Sequence, residues 1–312
     1  MESLFAAENS FFRRWRRGLL LLLLPGLTAC VSLGSPGPVV RPAASEAARE
    51  LGRPPKVVLA LGGGAARGFA HVGVIKALET HGIVADAVVG TSAGSVVGAL
   101  YAAGYGPFDL QKLAMQLDEK SISDWSLPDR GVLKGDALQK FVNDAVRQQP
   151  IEKLPKPFAA VATDLRSGQQ IVFRQGNVGM AVRASSSVPG VFQPVAIQGK
   201  EYVDGGLTSP IPVRAARALV GPNDVVVAVD ISSKPQQGAV RGTFDILMQT
   251  FTIMGNQLGA QELREADVVI RPAIPQVGSA DFKARHEAIL EGEKAALAAL
   301  PVIRAKLGRT AN

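Results

Sequence analysis

The chain has 312 residues, 47% of them hydrophobic and 20% charged, and a net charge of +7. That apolar content is enough for one large core or at most two small ones. The basic balance does not point to nucleic acid, because aromatics make up only 5% of the chain and no Lys/Arg cluster is interleaved with them.

The first thirty residues read as a targeting segment rather than as part of a fold. Arg13, Arg14, Arg16 and Arg17 precede an apolar run from Leu19 to Leu24, then Pro25, Gly26 and small residues, the pattern of a secretory signal. The stretch from Gly18 to Ala29 is short of the roughly 20 residues needed to cross a bilayer. Leu27-Thr28-Ala29-Cys30 resembles the lipobox of bacterial lipoproteins, and Cys30 is the single cysteine of the chain. That resemblance implies cleavage after residue 29 and lipidation of Cys30, with each buried methylene adding about 0.8 kcal/mol of membrane affinity. Val31 in the next position resembles outer-membrane sorting, so the expected location is the periplasmic face of the outer membrane. Beyond Cys30 there is no thiol for a disulfide, a metal or redox work.

Residues 30–55 turn to Gly, Pro, Ser and Ala, which suits a flexible tether with an r.m.s. reach of about 25 to 30 Å. The catalytic core is expected over 56–220, with 221–312 completing the same domain. Lys56 to Leu61 is a continuous apolar run ending in three glycines, a strand buried on both faces. A helix follows from Ala65 to Thr80, then a short strand from Asp86 to Gly90 and a helix of small residues from Ala93 to Ala103. This order predicts a parallel sheet with right-handed crossovers. Further strands are expected at 158–163, 170–173, 201–203, 225–231 and 267–270, and further helices at 111–117, 135–146, 213–219, 244–263 and 282–300.

Gly90-Thr91-Ser92-Ala93-Gly94 matches G-x-S-x-G at the junction where a strand must turn sharply into a helix, the placement that exposes a nucleophilic serine. The other such junction carries Gly62-Gly63-Gly64-Ala65-Ala66-Arg67-Gly68. Its glycines let backbone N–H groups converge on an anion. A dinucleotide fingerprint would need glycine at Arg67, and a phosphate loop would need Lys-Ser or Lys-Thr after Gly68, where Phe69-Ala70 stand. An oxyanion hole remains, with Arg67 adding positive charge or bracing the loop.

A serine needs a base. The chain order of a hydrolase triad would be Ser92, Asp204, His286, yet His286 falls in a strongly helical stretch, and His71 and His81 belong to the first helix. Asp204 in Tyr202-Val203-Asp204-Gly205-Gly206 ends a strand where two glycines permit a turn, although Asp164 and Asp230 also end expected strands. A carboxylate with a free pKa near 3.9 is a weak base toward a hydroxyl, so its site must desolvate it or bond it directly to Ser92.

Together these segments resemble the patatin-like phospholipase family. Its G-G-G-x-x-R-G oxyanion loop, G-x-S-x-G turn and D-G-G base motif correspond to Gly62 to Gly68, Gly90 to Gly94 and Asp204 to Gly206, and the stretch from Arg183 to Pro194 resembles the segment before the base. The resemblance implies a three-layer αβα sandwich with a mainly parallel sheet. It also implies a Ser92/Asp204 dyad without histidine, acyl transfer through an acyl-serine, and oxyanion donors among Gly62, Gly63, Gly64 and Ala65 beside Arg67. The substrate implied is a membrane lipid or lysolipid, and no metal or organic cofactor is required. Where some members read D-G-G-x-x-x-N-P, this chain reads Leu207-Thr208-Ser209-Pro210 after the glycines and lacks the asparagine.

Ser185 to Ser187 lack the strand-to-helix turn of a nucleophile and read as turn chemistry before Pro189. Phe244 to Leu263 is apolar enough for a lid or an interfacial face, or for an ordinary core helix. Two other functions stay open at this stage: a Ser-Asp-His esterase of small esters, and an envelope lipoprotein that binds lipid or a partner without catalysis.

Overall fold

VVLAL and VVVAV are apolar at every position, so neither segment can leave a face in water, and both become central strands of one sheet. The computed structural model describes residues 53–117, 122, 124, 130–235, 242–278 and 281–308. The expected signal segment, Cys30 and the tether up to residue 52 lie outside the described residues. In chain order the elements are β1 (Val57–Leu61), α1 (Phe69–Thr80), β2 (Ala87–Thr91), α2 (Ala93–Ala102), α3 (Pro107–Gln116) and β3 (Gly131–Leu133). Then come α4 (Asp136–Ala145), β4 (Phe158–Asp164), β5 (Gln170–Phe173), α5 (Val178–Ser185), β6 (Gly190–Phe192) and β7 (Val195–Ile197). The chain continues with β8 (Lys200–Asp204), α6 (Val213–Arg217), β9 (Val225–Val229), α7 (Thr243–Glu262), β10 (Val268–Ile270) and α8 (Arg285–Lys306).

The main sheet runs β10-β9-β1-β2-β4-β8-β7, with β5 also on β4. Strands from β10 to β4 are parallel, and β5, β8 and β7 join antiparallel. Alternate residues of β1 divide between two cores: Val57, Leu59 and Leu61 enter one, Val58 and Ala60 the other. The first core is thick, filled by α1, α2, α4 and α8. The second is thinner, closed by Val213, Ala215 and Ala216 of α6 with Ile211 and Leu263. Each fully buried Leu or Ile in these layers contributes about 1.5–3 kcal/mol.

α1 and α8 approach as closely as two backbones can. A Cβ at Gly73 would sit 1.9 Å from Ile289 O, and one at Gly292 would sit 2.1 Å from Ala70 O. Lys76 and Glu293 form a 2.8 Å ion pair beside this contact. α8 runs past the expected stop at Leu300, through Pro301 to Lys306. The proline removes one helix N–H, while Ile303 and Leu307 beyond it are buried in the first core.

α7 is not a core helix. Of its twenty residues only Gly259 and Glu262 are buried, while Phe244, Ile246, Leu247, Ile253 and Met254 are exposed. Its first turns lie over the Gly190 turn, where a Cβ would come 3.6 Å from Leu247 Cδ2. Among the described residues no helix is long and apolar enough to cross a membrane.

Candidate active site

Ser92 sits between β2 and α2 with φ 53° and ψ −125°, a backbone conformation that costs a non-glycine residue about 1–3 kcal/mol. Close packing enforces it. A Cβ at Gly90 would lie 2.3 Å from Gly94 O, and one at Gly94 would lie 2.1 Å from Leu61 O. Only glycine at both positions lets α2 start directly against the end of β1.

Asp204 ends β8, which pairs with β4 at Ala162. Oδ1 accepts the Gly206 N–H at 2.7 Å, and Oδ2 is buried without a hydrogen bond. Burial pushes the carboxyl up to about 6, against the Gly206 N–H and the Ser92 hydroxyl, which both favour the charged form. Among the described residues no hydrogen bond joins the Ser92 hydroxyl to Oδ2, and in many active sites such a bond forms only when substrate is bound. Asp164 and Asp230, the competing strand ends, are engaged elsewhere. Asp164 Oδ1 caps the N–H groups of Arg166 and Ser167, and Asp230 holds Ser232 and Arg271.

The glycine loop corrects part of the expected oxyanion hole. Gly62 N–H donates to Val229 O at 3.0 Å and Gly63 N–H to Pro210 O at 2.9 Å, so neither can receive an oxyanion. Gly64 and Ala65 N–H have no such acceptor among the described residues, and Ala65 takes φ 50°. Gly63 abuts the nucleophile, since a Cβ there would touch Ser92 Cβ at 3.2 Å. Arg67 does not join the donors. Its side chain is buried, Nε and Nη2 have no hydrogen-bond partner among the described residues, and Nη1 makes a weak contact to Val277 O at 3.5 Å. Burial lowers its pKa, and Asp230 partly offsets this. Of the two roles open to it, the bracing one fits its position.

The histidines separate by burial. His71 is fully buried, with Nε2 2.8 Å from Gly62 O. A carbonyl only accepts, so the ring carries its proton on Nε2, and burial pulls its pKa down to about 4. It fixes the glycine loop as a neutral donor. His81 is exposed at the end of α1, 2.8 Å from Ala77 O. His286 is exposed on the first turn of α8.

The serine run has a role that composition did not signal. Ser185 Oγ accepts the Ser92 N–H at 2.9 Å, and Ser187 O accepts the Asp204 N–H at 2.9 Å. Residues 185–187 thus tie nucleophile to base. Ser186 Oγ between them is buried and has no hydrogen-bond partner among the described residues. The resemblance of Arg183 to Pro194 to a family segment was the only sign of this in the sequence. An open cleft of about 600 Å³ lies elsewhere: Gly104, Lys112 and Arg147 line it beyond the far end of α2 from Ser92.

The patatin-like phospholipase family profile matches residues 59–217. An uncharacterised NTE family protein of Mycobacterium bovis is 38% identical over 182 residues, 57% of this chain and 49% of that protein. Patatin-like phospholipase domain-containing protein 6 of Mus musculus is 32% identical over 188 residues, 58% of this chain and 14% of that protein. The chain therefore spans at most about half the length of these relatives. Among solved structures, VipD from Legionella pneumophila superposes with a TM-score of 0.54 at 16% identity, over 80% of this chain and 67% of VipD, a likeness of fold. The chain belongs to the patatin-like phospholipase family.

Proposed function

We propose that this protein is a lipid acyl hydrolase of the phospholipase A or lysophospholipase type working through Ser92 and Asp204. The observation that carries the reading is a strained serine facing a buried carboxyl that burial has moved to about 6. At that value Asp204 is charged at neutral pH yet basic enough to take a proton.

Ser92 Oγ attacks the ester carbonyl carbon as its proton passes to Asp204. The N–H groups of Gly64 and Ala65 hold the oxygen that becomes negative. Collapse breaks the bond to the alcohol half, which leaves with the proton from Asp204, and the acyl group stays on Ser92. Water then gives a proton to Asp204 as it attacks the acyl-serine, and collapse releases the fatty acid while Ser92 Oγ takes that proton back from Asp204. The exposed apolar side chains of α7 over the Gly190 turn suit a substrate with long acyl chains.

The first measurement is acyl release from mixed phospholipid and lysophospholipid vesicles, with fluorophosphonate labelling alongside. Release together with a labelled serine supports the reading. If the protein neither labels nor releases acyl chains, a lipid-binding or partner-binding role takes its place. The Ser-Asp-His reading predicts loss of activity in His286→Ala. With His286 on an exposed helix face, activity should stay within about twofold of wild type, a change below about 0.4 kcal/mol in barrier.

Lipidation of Cys30 would hold the domain at the envelope membrane. Cys30→Ser should then lose incorporation of labelled palmitate and leave the membrane fraction, and a variant that stays membrane-bound would mean another attachment.

A further inference from the structure

Glu262 is a carboxylate that the dyad does not use, yet it is 4% exposed on a helix that buries almost nothing else. Oε1 accepts the Ser209 hydroxyl at 2.6 Å, and Oε2 accepts the Ile211 N–H at 3.2 Å. A Cβ at Gly259, one turn earlier, would touch Ile211 Cδ1 at 3.3 Å, so the last turn of α7 rests on residues 209–211.

That short segment reaches all three motifs of the site. Ser209 N–H donates to Gly205 O at 2.8 Å, next to the base. Ser209 O accepts the Thr91 hydroxyl at 2.8 Å, next to the nucleophile. Pro210 O accepts the Gly63 N–H at 2.9 Å, next to the free N–H groups of Gly64 and Ala65.

We infer that Glu262 is a positioning residue for acyl transfer: through Ser209 and Ile211 it clamps residues 209–211, and that segment sets the glycine loop against Ser92. Burial pushes the Glu262 carboxyl up to about 7, Ser209, Ile211 and Arg214 hold it down, and Glu265 raises it further. Arg214 is paired with Glu265 at 2.7 Å, which leaves the segment 209–211 as the principal hydrogen-bonding partner of Glu262.

The inference rests on the proposed acyl transfer, and two readouts separate the failure of one from the failure of the other. Amide exchange at Gly63 requires no turnover. In Glu262→Ala it should speed up about tenfold or more while β1 and β9 keep their protection, because the bond from Gly63 to Pro210 loses its support. With lipid substrate, kcat should fall about tenfold with KM little changed, and the rate of fluorophosphonate capture should fall with it. Glu262→Gln keeps one acceptor and should recover most of both. Ser209→Ala should show the same loss, and the double variant Glu262→Ala with Ser209→Ala should be little worse than either alone. Should Glu262→Ala fail to fold, the Gln and Ser209→Ala variants carry the same comparison. Unchanged Gly63 exchange, or losses at 262 and 209 that add in full, would overturn the clamp. A wild type that neither labels nor turns over lipid would sink the acyl-transfer reading, while Gly63 exchange would still decide whether Glu262 holds the loop.

Discussion

Ser92→Ala and Asp204→Asn are expected to cut acyl release by about 10³-fold or more, as removal of a member of a catalytic unit does, and Ser92→Ala should also lose the fluorophosphonate label. The two should part company in stability. The Asp204 carboxyl is raised from 3.8 to about 6 by burial, so the folded protein holds this proton more tightly than the unfolded chain. Its contribution is most favourable below about pH 4 and turns into a cost as pH rises through 6. About two pKa units correspond to about 3 kcal/mol at pH 7.5, and asparagine removes that cost. Asp204→Asn should therefore melt about 5 °C or more above wild type at pH 7.5, with the gain disappearing near pH 4. Activity of the wild type should rise through pH 6 as Asp204 loses its proton. An inactive Asp204→Asn that melts no higher at pH 7.5 would mean the carboxyl is not desolvated.

The second large effect is structural. Gly292→Val should destabilise by about 3 kcal/mol or more, because its Cβ would stand 2.1 Å from Ala70 O and neither helix backbone can yield without opening the core. Gly73→Val meets Ile289 O at 1.9 Å and should do the same. Gly255→Ala on α7 is the control: nothing lies within 4 Å of the added carbon, and helix propensity favours it by about 0.5–1 kcal/mol. Urea midpoints of the three variants check the contrast, and equal losses at 292 and 255 would mean the α1–α8 contact is not tight.

The parts of the fold that could be read from the sequence are those with a local signal. Apolar runs at 57–61 and 225–229 and the glycine-flanked Ser92 announce buried strands and a tight turn, and both are where they were expected. β3, β6 and β7 have three residues each, too few for an alternation to register. α5 was missed because eight residues containing Gly179 carry little helical signal, although Asn177 caps it through the Met180 N–H. α3 begins at Pro107 rather than near 111, with proline in the first turn, where its missing N–H costs nothing.

The site divides the same way. Ser92 and Asp204 stand on motifs, but the choice of oxyanion donors depends on partners far along the chain. Gly62 and Gly63 are withdrawn by Val229 and Pro210, acceptors that no local pattern shows. Glu262 was hidden inside an apolar stretch whose helix proved exposed, so its burial is visible only once the last turn of α7 is seen against residues 209–211.

β9 lies inside the sheet, between β1 and β10, and α8 covers α1, so the pieces that finish the core are synthesised long after Ser92. About 200 residues separate Ser92 from the end of α8, which at ribosomal speed is roughly 10 to 40 s of elongation. During that interval the inner edge of β1 and the apolar side of α1 have no neighbour to cover them. Gly94 packs against Leu61 O of β1, so the strand that backs the serine turn gains its second neighbour only when β9 pairs along it.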